Sequence, residues 1–172
     1  STSHVFRPSR FKVREDSEKK PQNHYGKTKN YLEKFILKNN RKYYFKIGIA
    51  RIFNYYNKNS KKNFFINDIK KILTNNKKKI YLKNITAFRD FISIDYINTA
   101  LYKMLQLNLN GDYNICSGEK IYLQEVVRHL NNKMKKKILI FDNKRSDGLV
   151  GSNLKLRSKG WIFNKKNFFK EL

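Results

Sequence analysis

The tightest constraint on this chain is the alternation of apolar segments between two periodicities. From Tyr25 to Leu37 the positions Tyr31, Leu32, Phe35 and Ile36 recur at helical spacing, which predicts a helix with one buried apolar stripe. Residues 43–53 follow as a run of aromatic and β-branched residues, the pattern of a strand buried on both faces. Phe64, Phe65, Ile69, Ile72 and Leu73 predict a second amphipathic helix, closed by an Asn75-Asn76-Lys77 turn. Short strands are expected at 80–82 and 91–94, and Asp95 stands where it could cap a helix carrying Ile97, Leu101, Met104 and Leu105. Beyond Gly111 the pattern predicts a strand at 113–116, a turn at Ser117-Gly118-Glu119 and a helix with Leu123, Val126, Val127 and Leu130. A strand at 137–141, a loop at 145–151, a short helix at 153–158 and a terminal helix after Gly160-Trp161 complete it. Strands alternating with helices predict an α/β domain with a mostly parallel sheet.

A chain of 172 residues suits one domain, or one domain with a small lobe, and 40% apolar content with 15% aromatics belongs to a globular chain. No apolar run approaches the roughly eighteen residues that cross a bilayer, and the amino terminus lacks a signal-peptide layout, so a soluble, cytoplasmic protein is expected. The single cysteine, Cys116, can form no internal disulfide, and with three histidines in the chain no metal site is expected. The net charge of +26 admits a polyanionic partner contacted through the lysines at 77–79 and 135–137. It equally fits a composition inflated in lysine, asparagine, isoleucine, phenylalanine and tyrosine together. The basic runs are scattered and form no nucleic-acid motif, which argues against nucleic acid.

Chemistry is concentrated near the amino terminus. Residues 1–6 read as a strand end entering a loop, and 7–23, with Pro8 and Pro21, as a long loop of the kind that often carries function. In His24-Tyr25-Gly26-Lys27-Thr28-Lys29, a tyrosine and a lysine four residues apart share one helix face, so the ammonium biases the phenol toward ionising and toward proton transfer. Composition alone would yield roughly two such Tyr-x-x-x-Lys spacings. Weight therefore comes from what surrounds this one.

Six stretches occur in order: Ser1-Thr2-Ser3-x-Val5-Phe6; Pro21-x-x-x-Tyr25-Gly26-Lys27-x-Lys29; Arg51-Ile52-Phe53-Asn54; Arg89-Asp90-Phe91-Ile92; Gly111-x-Tyr113-Asn114-Ile115-x-Ser117-Gly118; and Leu154-x-Leu156-x-x-x-Gly160-Trp161. Together they resemble the extended short-chain dehydrogenase/reductase family, the NAD-dependent sugar-nucleotide epimerases, dehydratases and reductases. The resemblance runs from Ser1 to Trp161. It implies a partial Rossmann-like parallel sheet lacking its first strands, with a small carboxy-terminal α/β substrate-binding lobe. Residues 1–56 would be the latter part of an NAD(P)-binding domain and 57–172 mainly the substrate lobe, with returning strands of the sheet.

By the same resemblance Tyr25 is the general acid/base, Lys29 lowers its pKa and holds the nicotinamide ribose, and Thr2 bonds the same sugar oxygen. Phe53 would lie beside the nicotinamide, and Asn54 beside the sugar nucleotide. Arg89 and Arg145 would grip the nucleotide diphosphate, a task suited to a guanidinium fork. Asp90 is expected to be structural, Gly118 and Gly160 to be turn glycines, and His4, His24 and His129 to stand outside the chemistry.

Three departures refine this. No Gly-x-Gly-x-x-Gly occurs, although the family rests the cofactor pyrophosphate on such a loop in a half that precedes the Ser-Thr-Ser stretch. The sequence is thus expected to begin too late to contain it. Where the dehydratases carry acidic residues after the threonine, this chain has Ser3 and His4, which disfavours water elimination. After Asn54 stands Tyr55-Tyr56-Asn57-Lys58 in place of the family's Gly-Pro, and the compact stretch to Arg89 looks like GDP-4-keto-6-deoxymannose reductases, with UDP-glucose 4-epimerases left open. The expectation is an amino-terminally truncated NAD(P)-dependent sugar-nucleotide reductase or epimerase, inactive alone, taking a nucleotide-diphosphate sugar and leaving a homodimer open. The alternatives are a basic nucleic-acid-binding module and an inactive, degenerate fragment with an exposed apolar edge.

Overall fold

The computed structural model describes residues 1–39, 46–57, 65–75, 79–82, 84–136, 139–142, 147–164 and 168–172. A 3-10 turn, Ser3–Val5, precedes helix α1 (His24–Asn39), strands β1 (Gly48–Ile52) and β2 (Asn54–Tyr56), and helix α2 (Phe65–Thr74). Strands β3 (Lys79–Leu82), β4 (Phe88–Arg89) and β5 (Phe91–Ser93) lead to helix α3 (Ile94–Gln106). Then come β6 (Gly111–Ile115), β7 (Ile121–Tyr122), α4 (Leu123–Lys133), β8 (Leu139–Asp142), α5 (Leu154–Arg157) and α6 (Phe168–Glu171).

The pairing is mainly parallel, as the alternation predicts. β1 pairs with β6 from Gly48↔Gly111 to Ile52↔Ile115, β2 with β5 from Asn54↔Phe91, and β3 with β8 from Lys79↔Leu139. Among the described residues only β4 and β7 run antiparallel. On the other side of β1 the chain start adds a strand stub: Ser1 donates to the Ala50 carbonyl at 2.8 Å and Thr2 bridges Ile52 in parallel. Thr2 is thereby set at the carboxyl end of a parallel strand array, where loops of such sheets gather ligands.

Two large cores flank these strands. α2 and α4 bury Ile69, Leu73, Val126, Val127 and Leu130 with Ile80 and Phe168, while α3 packs Ile97, Ala100 and Met104 against Tyr113, Ile115 and Trp161. A smaller cluster, Val5, Phe6, Val13, Phe53 and Cys116, sits beneath the 3-10 turn. Cys116 is fully buried, and burial raises its thiol well above the ordinary range, so it is inert.

The buried face of α1 differs from the predicted stripe. Tyr31, Leu32 and Phe35 are 72%, 46% and 53% exposed, and the face turned inward carries Gly26, Asn30 and Glu33. A polar face is inward because a buried arginine of β1 faces it, as described below. Smaller corrections follow from local geometry. Helix α3 starts two residues early, with Ser93 at its cap and Asp95 in its first turn, and Leu105 lies 79% exposed on its outer face. Gly111 begins β6, two residues before the strand expected at 113–116, with φ of +90°. The strand expected at 43–53 is shorter, at Gly48–Ile52, with 43–45 outside the described residues. Phe64, Asn76, Lys77, Lys78, Lys137 and Arg145 also lie outside the described residues.

Asp90 fastens the loops over the sheet. Fully buried between β4 and β5, it accepts the Ser117 N–H at 2.7 Å and Ser117 hydroxyl at 2.6 Å on Oδ1, and the Gly118 and Gly151 N–H groups at 3.0 and 3.1 Å on Oδ2. Gly151 must be glycine: a Cβ there would meet Cys116 Sγ at 2.5 Å and Phe53 Cζ at 2.7 Å. Burial pushes the Asp90 carboxyl from 3.8 up to about 6, with the four donors pulling the other way. A carboxyl raised in the folded state favours folding below its unfolded pKa and loses that contribution as pH climbs through the folded value. Stability should therefore fall by roughly 3 kcal/mol on this account between about pH 4 and 6. Denaturant titrations of wild type and Asp90→Asn at stepped pH test this: their stability difference should change across that window, and a pH-independent difference would refute the assignment.

Candidate functional site

The start of α1 is pressed onto the 3-10 turn. Asn23 caps the helix, its Oδ1 accepting the Gly26 N–H at 2.7 Å and its carbonyl the Lys27 N–H at 3.0 Å. A Cβ on Gly26 would lie 2.2 Å from the His4 carbonyl oxygen, so only a glycine lets the helix come this close. The residue before it, Tyr25, is thereby held against the turn, its ring 5.8 Å from the His4 ring in an edge-to-face arrangement. Thr2, 5% exposed, closes the turn by accepting the His4 N–H on Oγ1 at 3.3 Å.

Thr2, His4, Tyr25, Phe53 and Asn54 share one open cleft of about 310 Å³, walled on its far side by Phe65, Ile66 and Phe91. Tyr25 is 53% exposed into it. Lys29, one turn on along α1, does not line the cleft, but its Nζ lies 5.8 Å from the Tyr25 ring centroid. Phe53 is mainly core: it is 3% exposed, its N–H donates to the Ile115 carbonyl at 3.1 Å, and it packs with Val5, Phe6 and Cys116. Asn54 opens β2 opposite Phe91. Ser3, His4 and Asn54 also line an adjoining recess of about 160 Å³ that contains Arg89, Asp147 and Gly148. Arg89 Nη1 donates to the Phe88 carbonyl at 2.8 Å, and burial pulls its guanidinium below the usual arginine value. The structure thus brings Thr2, Tyr25, Phe53 and Asn54 to one opening, with Lys29 behind and Arg89 next door. Arg145 falls outside the described residues.

The family model for GDP-mannose 4,6-dehydratase matches residues 1–158. The chain belongs to that family. This agrees with the resemblance to sugar-nucleotide enzymes of the extended short-chain dehydrogenase/reductase type. No curated protein matches the sequence. Among solved structures it is similar to RMD from Pseudomonas aeruginosa, complexed with NADPH, at 21% identity and a TM-score of 0.84 over 99% of this chain and 61% of that one. It is similar to the UDP-glucose 4-epimerase of Thermus thermophilus with NAD, at 19% identity and 0.80 over 99% and 58%. A third is the dTDP-glucose 4,6-dehydratase of Bacillus anthracis with NAD, at 18% and 0.84 over 99% and 57%. These likenesses establish a shared α/β fold, of which this chain spans about 60%. Among the described residues no helix is long and apolar enough to cross a membrane, and no cluster of His, Cys, Asp and Glu could hold a metal ion.

In this member of the family two features of the site escaped the sequence reading. The first is an ion network under α1. Arg51, fully buried, donates Nε to Glu33 Oε1 at 3.0 Å, Nη2 to Glu33 Oε2 at 3.0 Å and to Asp112, and Nη1 to the Glu15 carbonyl at 2.9 Å. Lys19 adds a 2.9 Å bond to Glu33. Burial alone would raise Glu33, but the bonds from Arg51, the Ser1 amino group and Lys19 outweigh it and hold the carboxyl at about 2. The signal was present: one cation inside an apolar strand and one acid in helix α1, each needing a partner once buried. The second is His4, which lies in the cleft itself.

Proposed function

We propose that this chain is the sugar-binding and proton-transferring part of an NAD(P)-dependent sugar-nucleotide reductase or epimerase. The observation that supports this best is the convergence of Thr2, Tyr25 and Asn54 on one cleft, with the Lys29 ammonium 5.8 Å from the Tyr25 ring. Tyr25 exchanges a proton with a sugar oxygen, Thr2 hydrogen-bonds that oxygen, and Arg89 in the adjoining recess meets the diphosphate. Ser3 and His4 stand where a dehydratase needs acids, so reduction or epimerisation is preferred to water loss. Residues 1–56 serve the cofactor side, and 57–172 mainly the sugar side.

NAD(P) makes two separate demands. Its pyrophosphate needs a glycine-rich turn at a helix amino terminus, and the 172-residue sequence contains no Gly-x-Gly-x-x-Gly. The nicotinamide end needs an accessible cation beside the proton-transfer group. Here Glu33, the acid of α1, is engaged by Lys19 and Arg51, which leaves Lys29 without an ion-pair partner among the described residues. Tyr25 and Lys29 therefore fit the nicotinamide ribose, and among the described residues none forms a glycine-rich loop for the pyrophosphate. When bound, the nicotinamide supplies or accepts the hydride.

Titration of the 172-residue chain with UDP-glucose and GDP-mannose, followed by amide NMR, tests the reading. Shifts should cluster at Thr2, His4, Asn54 and Arg89; no shift at millimolar ligand would sink it. Calorimetry with NAD and NADPH on the same chain should show no tight binding, and low-micromolar affinity would overturn that expectation.

A further inference from the structure

His4 holds its proton in one place. Asn23 Nδ2 lies 3.1 Å from His4 Nδ1, while Asn23 Oδ1 takes the Gly26 N–H at 2.7 Å. A backbone N–H can only donate, so the atom facing Gly26 must be the amide oxygen, and the NH2 must face the imidazole. An NH2 in turn only donates, so Nδ1 must offer a lone pair. The remaining proton of the neutral ring then sits on Nε2, which has no protein partner among the described residues. Charging the ring would set N–H against N–H, or turn the Asn23 amide and uncap α1 just before Tyr25.

The surroundings agree. The ring is edge-on to Tyr25, and the facing groups are Arg89, a cation, and Asp147, which lines the same recess but is itself engaged by Arg10 at 3.6 Å. Burial first, then the Arg89 charge, lowers the His4 pKa below 6.5.

We infer that His4 is a specificity-determining residue of the cleft: locked by Asn23 as the Nε2–H tautomer, it donates a hydrogen bond to an uncharged oxygen, hydroxyl or keto, on the sugar of the bound sugar nucleotide. This rests on the function proposed above. A neutral donor beside a phenol and a threonine hydroxyl suits a polyol ring, whereas the diphosphate is met by Arg89 in the adjoining recess. His4 is thus placed to read the sugar and not the nucleotide.

Two measurements on the 172-residue chain decide it. Long-range 15N NMR of the imidazole at pH 7 should show a neutral ring protonated on Nε2, and a ring protonated on Nδ1, or charged, would overturn the inference without touching the proposed function. Titration with UDP-glucose and with UDP alone should show His4→Leu weakening the sugar nucleotide roughly tenfold, the worth of one hydrogen bond, and leaving UDP unchanged. His4→Gln, which keeps a side-chain N–H, should restore most of the affinity. Equal affinity in His4→Leu would overturn this inference alone. Absence of binding by the wild type to UDP-glucose, and to GDP-mannose tested beside it, would overturn both it and the proposed function.

Discussion

Tyr25→Phe is expected to lower kcat of a sugar-nucleotide enzyme carrying this chain by about 10²–10⁴-fold, the usual contribution of one positioned acid/base. Phenylalanine keeps the ring that stands edge-on to His4 at 5.8 Å, and the neighbouring Asn23–Gly26 bond is untouched, so the cleft should hold its shape. Only the proton-carrying oxygen is lost. KM for the sugar nucleotide should then stay near the wild-type value, because the groups proposed to hold the ligand, Asn54 and Arg89, are unchanged. Steady-state kinetics on the two proteins would show the split. Turnover close to wild type would end the acid/base assignment, while a large rise in KM at unchanged kcat would make Tyr25 a binding residue.

Arg51→Met should cost about 3–5 kcal/mol of folding stability, the range seen when one member of a buried ion pair is removed. Methionine fills much of the space but leaves Glu33, 2% exposed, with Lys19 as its remaining side-chain cation. The pH dependence carries the sign. Glu33 is held at about 2 against 4.5 in the unfolded chain, so its contribution is present above pH 4.5 and is lost as pH falls toward 2. That difference corresponds to roughly 3 kcal/mol, and the gap between wild type and variant should shrink over the same window. Arg51→Met with Glu33→Leu should recover most of the loss, since an apolar pair of similar volume replaces a buried ion pair at little cost. Urea unfolding at pH 7 and at pH 3 measures all three proteins. A single-variant loss under 1 kcal/mol at pH 7 would mean the network does not hold α1 to β1.

The two predictions are coupled through one helix. Glu33 lies two turns beyond Tyr25 and one beyond Lys29, so the Arg51 anchor fixes the rotation of α1 about its axis and with it the direction of the Tyr25 ring. Loss of the anchor should therefore disturb the cleft as well as the fold. The same reasoning explains why an apolar stripe can remain outside: Tyr31, Leu32 and Phe35 point away once the polar face is tied inward.

Much of this protein was legible in one dimension. Helical and extended periodicities located the elements, because side-chain burial repeats with backbone geometry. The pairing of Tyr25 with Lys29 on one face followed from the pitch of a helix, and Asp90 was rightly read as structural. Periodicity says which residues share a face, but not which face is covered, since that depends on segments far along the chain. The Glu33–Arg51 and Arg51–Asp112 bonds span 18 and 61 residues, and the meeting of Thr2 with Tyr25 depends on Gly26 touching the His4 carbonyl. The tautomer of His4 is likewise decided by a neighbour 19 residues away, through a hydrogen-bond direction that only packed coordinates possess.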